Sequence, residues 1–210
     1  NDGPEKSGEQ LQQTARVQLI VTSSLLVAIL SGMPVLDLVL SDNYQGLLGV
    51  VLAVGLAFVL EASAGTAGPI LQFSSRYKMA LPINLGLVIM TIISNYVFIE
   101  VLDMGILGAA WATALTGLWN MAWRTSLMWR LFNIHPFSRG WLLALLFALS
   151  VAIVIFFVPL PEWIFYQSPL VQLTLAVLRG AFAGGAVLSL SWATGCLPEL
   201  TAEWNKRFSR

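Results

Sequence analysis

The stretch MALPINLGLVIMTIISNYVFI, residues 79–99, runs for 21 residues without a charged side chain. Coiled as an α-helix at 1.5 Å per residue, a run of that length reaches across the roughly 30 Å hydrocarbon layer of a bilayer. Its two flanks differ in sign: Arg76 and Lys78 precede it, Glu100 and Asp103 follow it. Because basic residues are retained on the cytoplasmic side of a membrane, the segment predicts a transmembrane helix that starts at the cytoplasmic face.

The same pattern recurs on either side. Apolar runs predict further spans over residues 16–40, 47–71, 108–128, 141–158 and 170–196, six in all. Hydrophobic residues make up 57% of the chain and charged ones 10%, more apolar surface than a soluble core of this size could hide. The short alternating segments of a membrane β-barrel are absent. The expected fold class is therefore all-α, a polytopic membrane helix bundle. If the spans alternate, Lys6, Arg16, Arg76, Lys78, Arg124, Arg130, Arg139, Lys206, Arg207 and Arg210 fall on one side. Asp42, Glu100, Asp103 and Glu162 fall on the other, so both chain ends are expected on the cytoplasmic side of the membrane. Tyr77, Trp129, Trp141 and Trp163 lie at the expected interfaces, where an amphipathic ring is favoured.

Residues 1–15 are expected to be a polar cytoplasmic connector, helical from near Glu9, and residues 197–210 a cytoplasmic tail. Pro34 predicts a bend late in the first span, near Asp37. Pro159, Pro161 and Pro169 bracket the turn between the last two spans. The chain starts at Asn1 with no basic-then-apolar leader, which predicts a piece of a longer protein.

Little in the sequence suggests enzymatic chemistry. The one histidine, His135, stands in a basic loop beside Pro136, with no second histidine for a zinc pair. Cys196 is the one cysteine, so no metal cluster or internal disulfide is expected. There is no phosphate-binding glycine loop, and no feature that points to nucleic acid. No cofactor, metal or catalytic residue is expected.

Two ionisable residues deep inside spans call for a hypothesis, because a charge there must face protein or water. Glu61, past the middle of the second span, reads either as a cavity carboxylate that takes a proton or cation, or as a structural one hydrogen-bonded between helices. Arg179 lies about 15 Å into the sixth span, too deep to snorkel easily, and needs a partner. Gly180 and Gly184 beside it form a small-xxx-small face suited to close helix packing. An anionic lipid phosphate is the alternative contact for Arg179.

Three stretches carry a family likeness: GPILQFSSRYKMALPINLG (68–86), GILGAAWATAL (105–115) and RLFNIHPFSR (130–139). In order and spacing they resemble the carboxy-terminal part of Wzx-like polysaccharide and oligosaccharide flippases, members of the multidrug/oligosaccharidyl-lipid/polysaccharide exporter superfamily. In that family a helix ends in a Gly-Pro element, here Gly68 and Pro69, and a basic cytoplasmic loop follows. The next outer turn carries a glycine- and alanine-rich segment, here with Gly105 and Gly108. The resemblance covers most of residues 43–139. It implies that residues 16–139 are the last four helices of a second six-helix lobe and residues 140–196 two added terminal helices. It further implies a transporter that moves polyprenyl-pyrophosphate-linked oligosaccharide outward by alternating access around a central, often cationic cavity. Its implied partners are that lipid-linked glycan, an amino-terminal lobe of the same protein and the glycan polymerase machinery. The competing readings are a related cation-coupled drug antiporter, and a non-catalytic scaffold or subunit of a glycan polymerase complex.

Overall fold

The computed structural model describes residues 4–39, 46–157 and 168–193. Seven α-helices account for most of them: α1 Pro4–Val39, α2 Leu47–Ser63, α3 Ala67–Gln72, α4 Ala80–Asn95, α5 Gly105–Phe132, α6 Arg139–Phe157 and α7 Pro169–Ala193. A 3₁₀ turn, Tyr77–Met79, leads into α4, and a π-helical turn, Tyr96–Val101, extends it. Among the described residues there is no strand. Asp42, residues 158–167 with Pro159, Pro161, Glu162 and Trp163, and residues 194–210, with Cys196 at the expected end of the sixth span and Lys206, Arg207 and Arg210 of the expected tail, lie outside the described residues.

By length and composition, three helical stretches can cross a membrane: Gly8–Met33, Tyr77–Val101 and Leu170–Ala193. The opening stretch of the sequence reading, 79–99, lies inside the second. Helix α2 is as apolar, but its 17 residues reach only about 25 Å. Helix α5 has 28 residues, yet Trp, Asn, Thr and Arg crowd its second half and lower its hydropathy.

The chain forms two compact units. The first comprises α1 up to Leu19 with residues Gly46–Ser138; the second comprises α1 from Ile20 onward with α6 and α7. In the first unit, α5 is the central strut, packed against α2, α3 and α4. Small residues set that closeness: Ala110, Ala112, Ala114 and Gly117 are buried on α5, and a Cβ added at Gly117 would lie 3.2 Å from the Ala57 carbonyl oxygen. At the start of α5 the chain turns tightly. Asp103 and Gly105 both take left-handed conformations, at φ 51° and 54°, and Gly108 packs on the Phe98 carbonyl. Helix α5 ends at Asn133, also left-handed, whose N–H donates to the Trp129 carbonyl at 2.9 Å.

The structure departs from the sequence reading at two places in this unit. The run 47–71 is not one helix: it breaks after Ser63, and the break is Gly65 at φ 59°, ahead of Gly68 and Pro69. Those two residues lie instead in the first turn of α3, where proline's missing N–H costs nothing. The polar start of the chain is also more than a connector. Helix α1 begins at Pro4, buries Leu11 and Ala15 completely, and contributes Leu11 to a core with Ala67, Met128 and Ile134. Ala15 rests against Gly65 at the break, and the Thr14 and Thr66 hydroxyls hydrogen-bond at 3.0 Å. Helix α1 then continues through Pro34.

In the second unit, Val27, Ala148, Ala183 and Val187 form the core. A Cβ added at Gly180 would meet the Ala28 carbonyl oxygen at 2.7 Å, and one at Gly184 the Ser24 carbonyl oxygen at 3.0 Å. The small-residue face of α7 is thus occupied by α1. Both obstacles are backbone, so no side-chain rotation relieves them. Gly180→Leu is expected to destabilise the protein by about 1–3 kcal/mol, the usual cost of overpacking. At Gly185, where nothing lies within 4 Å, Gly185→Ala is expected to be neutral or stabilising by up to about 1 kcal/mol through helix propensity. Thermal melts of the purified variants in detergent check the opposite signs.

Candidate functional site

Helices α2, α4 and α5 line an open cleft of about 140 Å³ that includes Ala57, Phe58 and Glu61 from α2, with Glu61 and Phe58 exposed. Leu87 and Thr91 come from α4, and Thr113, Thr116 and Gly117 from α5. The helical repeat explains the assembly. Ala57 and Glu61 lie one turn apart on α2, while Thr113 with Thr116 and Gly117, and those two with Asn120, are spaced three or four residues apart along one face of α5. Gly117 lets that face approach Ala57, which brings the carboxylate of Glu61 to the polar stripe.

Asn120 donates from Nδ2 to Glu61 Oε1 at 3.0 Å. Asn120 is 5% exposed, and its Oδ1 is buried without a hydrogen-bond partner. The three threonines satisfy their own donors locally: Thr91 Oγ1 to the Leu87 carbonyl at 2.8 Å, Thr113 Oγ1 to Ala109 and Thr116 Oγ1 to Ala112, both at 2.9 Å. A hydroxyl that donates backward along its helix still offers its lone pairs outward. The cleft therefore presents a carboxylate and three hydroxyl oxygens, with one unsatisfied amide oxygen behind them. Such an acceptor-rich set suits a proton, a cation or the hydroxyl groups of a sugar.

The other residues singled out from the sequence lie elsewhere. Arg179 belongs to the second unit, partly buried on α7 and engaged by a partner. Gly180 and Gly184 pack on α1, Gly105 makes the α4–α5 turn, and Gly108 seats α5 against Phe98. Gly68 meets Arg124: a Cβ there would lie 2.7 Å from Arg124 Nη1. Asn120 was not foreseen as the partner of Glu61. Its spacing of four and seven residues from Thr116 and Thr113 is the signal that could have identified it. His135 is exposed in the loop after α5. Among the described residues no three His, Cys, Asp or Glu side chains come together as a metal site.

The basic loop between α3 and α4 docks on the end of α5. Arg76 Nη1 donates to the Leu131 carbonyl at 3.4 Å, and its guanidinium stands 5.9 Å from the centre of the Phe132 ring. A cation there also complements the negative end of the α5 dipole. No known protein family, curated protein or solved structure matches the chain.

Proposed function

We propose that this chain is the closing portion of a Wzx-like flippase that moves polyprenyl-pyrophosphate-linked oligosaccharide across a bacterial inner membrane, with six spans and both ends in the cytoplasm. In this reading it is a transporter, without enzymatic activity of its own. The observation that carries the reading is the Glu61–Asn120 pair, an exposed carboxylate anchored to a buried amide at a polar cleft between apolar helices, since intramembrane ionisable groups mark transport paths. The three helices of spanning length and the basic α3–α4 loop after Gly68 and Pro69 support it further. A scaffold that uses Gly180 and Gly184 to bind another protein has less support, because both glycines already face α1.

The deciding experiment follows labelled lipid-linked glycan to the outer leaflet in cells with and without the complete protein. Equal arrival in both sinks the proposal. Orientation has its own test in a Cys196→Ser background. Asp103→Cys is expected to react with a membrane-impermeant maleimide on intact cells, and Ser75→Cys only after permeabilisation. The reverse pattern overturns the ends-inside arrangement.

A further inference from the structure

The geometry points to a binding site for a phosphate group at Arg124, between α3, α4 and α5, with the phosphate of an anionic phospholipid as its occupant. Arg124 lies eight residues before the last residue of α5, about 12 Å along the helix. Its guanidinium reaches sideways over Gly68 of α3, close enough that any side chain at position 68 would collide with it. Arg124 is partly buried, yet among the described residues it makes no ion pair and no hydrogen bond. Arginine stays charged in proteins and carries five N–H donors in a planar fork that matches phosphate. Partly screened from water and without an anion among the described residues, the guanidinium keeps donors that a phosphate can take up.

The surroundings suit that anion. Beside the guanidinium is a space of about 10 Å³ lined also by Gln72 and Asn84, room for one oxygen atom. The amides of Gln72 and Asn84 have no side-chain hydrogen bond among the described residues, so both can donate to a phosphate oxygen. Arg76 and Lys78 follow in the adjoining loop, exposed, and raise the local positive potential that draws anionic headgroups to a membrane surface. No acidic residue lines the space. Gly68, which the sequence suggested as a helix stop, is on this view the floor on which the guanidinium lies.

The site rests on the membrane-spanning part of the proposed function, and extraction of membranes with alkaline carbonate tests that part separately. Release of the chain by carbonate means that the membrane reading fails, whatever Arg124 binds. For the site itself, the full chain is reconstituted in nanodiscs of phosphatidylcholine with or without phosphatidylglycerol, and retained lipid is read by native mass spectrometry. Wild type is expected to retain phosphatidylglycerol over phosphatidylcholine. Arg124→Gln and Gly68→Leu are expected to lower that preference about tenfold, the scale of losing charge-assisted hydrogen bonds. The exposed pair Gln72→Leu with Asn84→Leu is expected to lower it several-fold, and keeps the test decisive if Arg124→Gln folds poorly. Arg130→Gln, on the same helix but outside the site, is expected to leave it unchanged. Inorganic phosphate added to phosphatidylcholine nanodiscs distinguishes the source: Arg124-dependent binding as tight as that of phosphatidylglycerol would overturn the lipid as occupant. Undiminished phosphatidylglycerol retention in the Gln72→Leu/Asn84→Leu protein, or in a folded Arg124→Gln protein, overturns the site.

Discussion

Gly65→Val is expected to destabilise the first unit by about 3 kcal/mol or more, through two separate terms. The backbone at Gly65 is left-handed, with φ 59°, which costs a residue bearing a Cβ about 1–2 kcal/mol and a β-branched one more. The second term is steric. A Cβ at this position would lie 2.7, 2.8 and 2.9 Å from the N, Cα and Cβ of Ala15, and α1 would have to retreat from the notch between α2 and α3. That movement would also strain the Thr14–Thr66 hydrogen bond and draw Leu11 from its core. Gly46 separates the two terms, since it too is left-handed, at φ 90°, but has nothing within 4 Å. Gly46→Ala therefore reports backbone strain alone, and Gly65→Ala reports strain plus collision, an excess of about 1–3 kcal/mol on the overpacking scale. Detergent-solubilised melts of the two alanine variants measure that excess. A Gly65→Ala cost no greater than about 1–2 kcal/mol, that of the left-handed backbone alone, would mean that α1 does not rest against the break.

The Gly65 break also shows where the sequence was readable and where it was not. Long apolar helices announce themselves through composition, so α4 and α7 were placed to within a few residues, as was the Asp103–Gly105 turn. The family resemblance puts the end of the second run at Gly68 and Pro69, in keeping with proline's opposition to a helix interior. Proline in a first turn offers no such opposition, and which of the two applies depends on a glycine four residues earlier and on the helix that packs there. The same holds for residues 4–15. Their composition is polar, and only Leu11 and Ala15, one turn apart, hint at a buried stripe; the partners that bury it, Ala67, Met128 and Ile134, are more than fifty residues away. At the cleft, Glu61 stood out because it is ionisable in an apolar run. Asn120 carries no charge and drew no notice, although its buried amide sets the position of the carboxylate. Arg124 served in the sequence only as a marker of orientation, since its contact with Gly68 needs the α3–α5 packing to exist.

On the proposed transport function, the largest functional effect is expected at Glu61, and the choice of substitution decides what is learned. Glu61→Ala removes the acceptor from Asn120, whose Oδ1 is already unsatisfied. Both ends of a buried amide are then unpaired, at about 1–3 kcal/mol of stability, so lost transport in that variant conflates fold and function. Glu61→Gln keeps an oxygen for the Asn120 donor and removes the charge. Its melt is expected to stay near that of the unaltered protein, while glycan translocation by the complete protein falls at least about tenfold, equivalent to about 1.4 kcal/mol. Asn120→Leu acts in the opposite sense. It removes a buried, half-satisfied amide, a gain offset by leaving the Glu61 carboxylate without its donor, so stability is expected to change by no more than about 1–3 kcal/mol, and it frees the carboxylate that Asn120 positions. If the two residues act as one unit, the double variant Glu61→Gln/Asn120→Leu transports no worse than Glu61→Gln alone, and the difference from additivity measures their coupling. Full transport by a stably folded Glu61→Gln protein would instead make the carboxylate a structural link between α2 and α5, with the neutral hydrogen bond sufficient for its role.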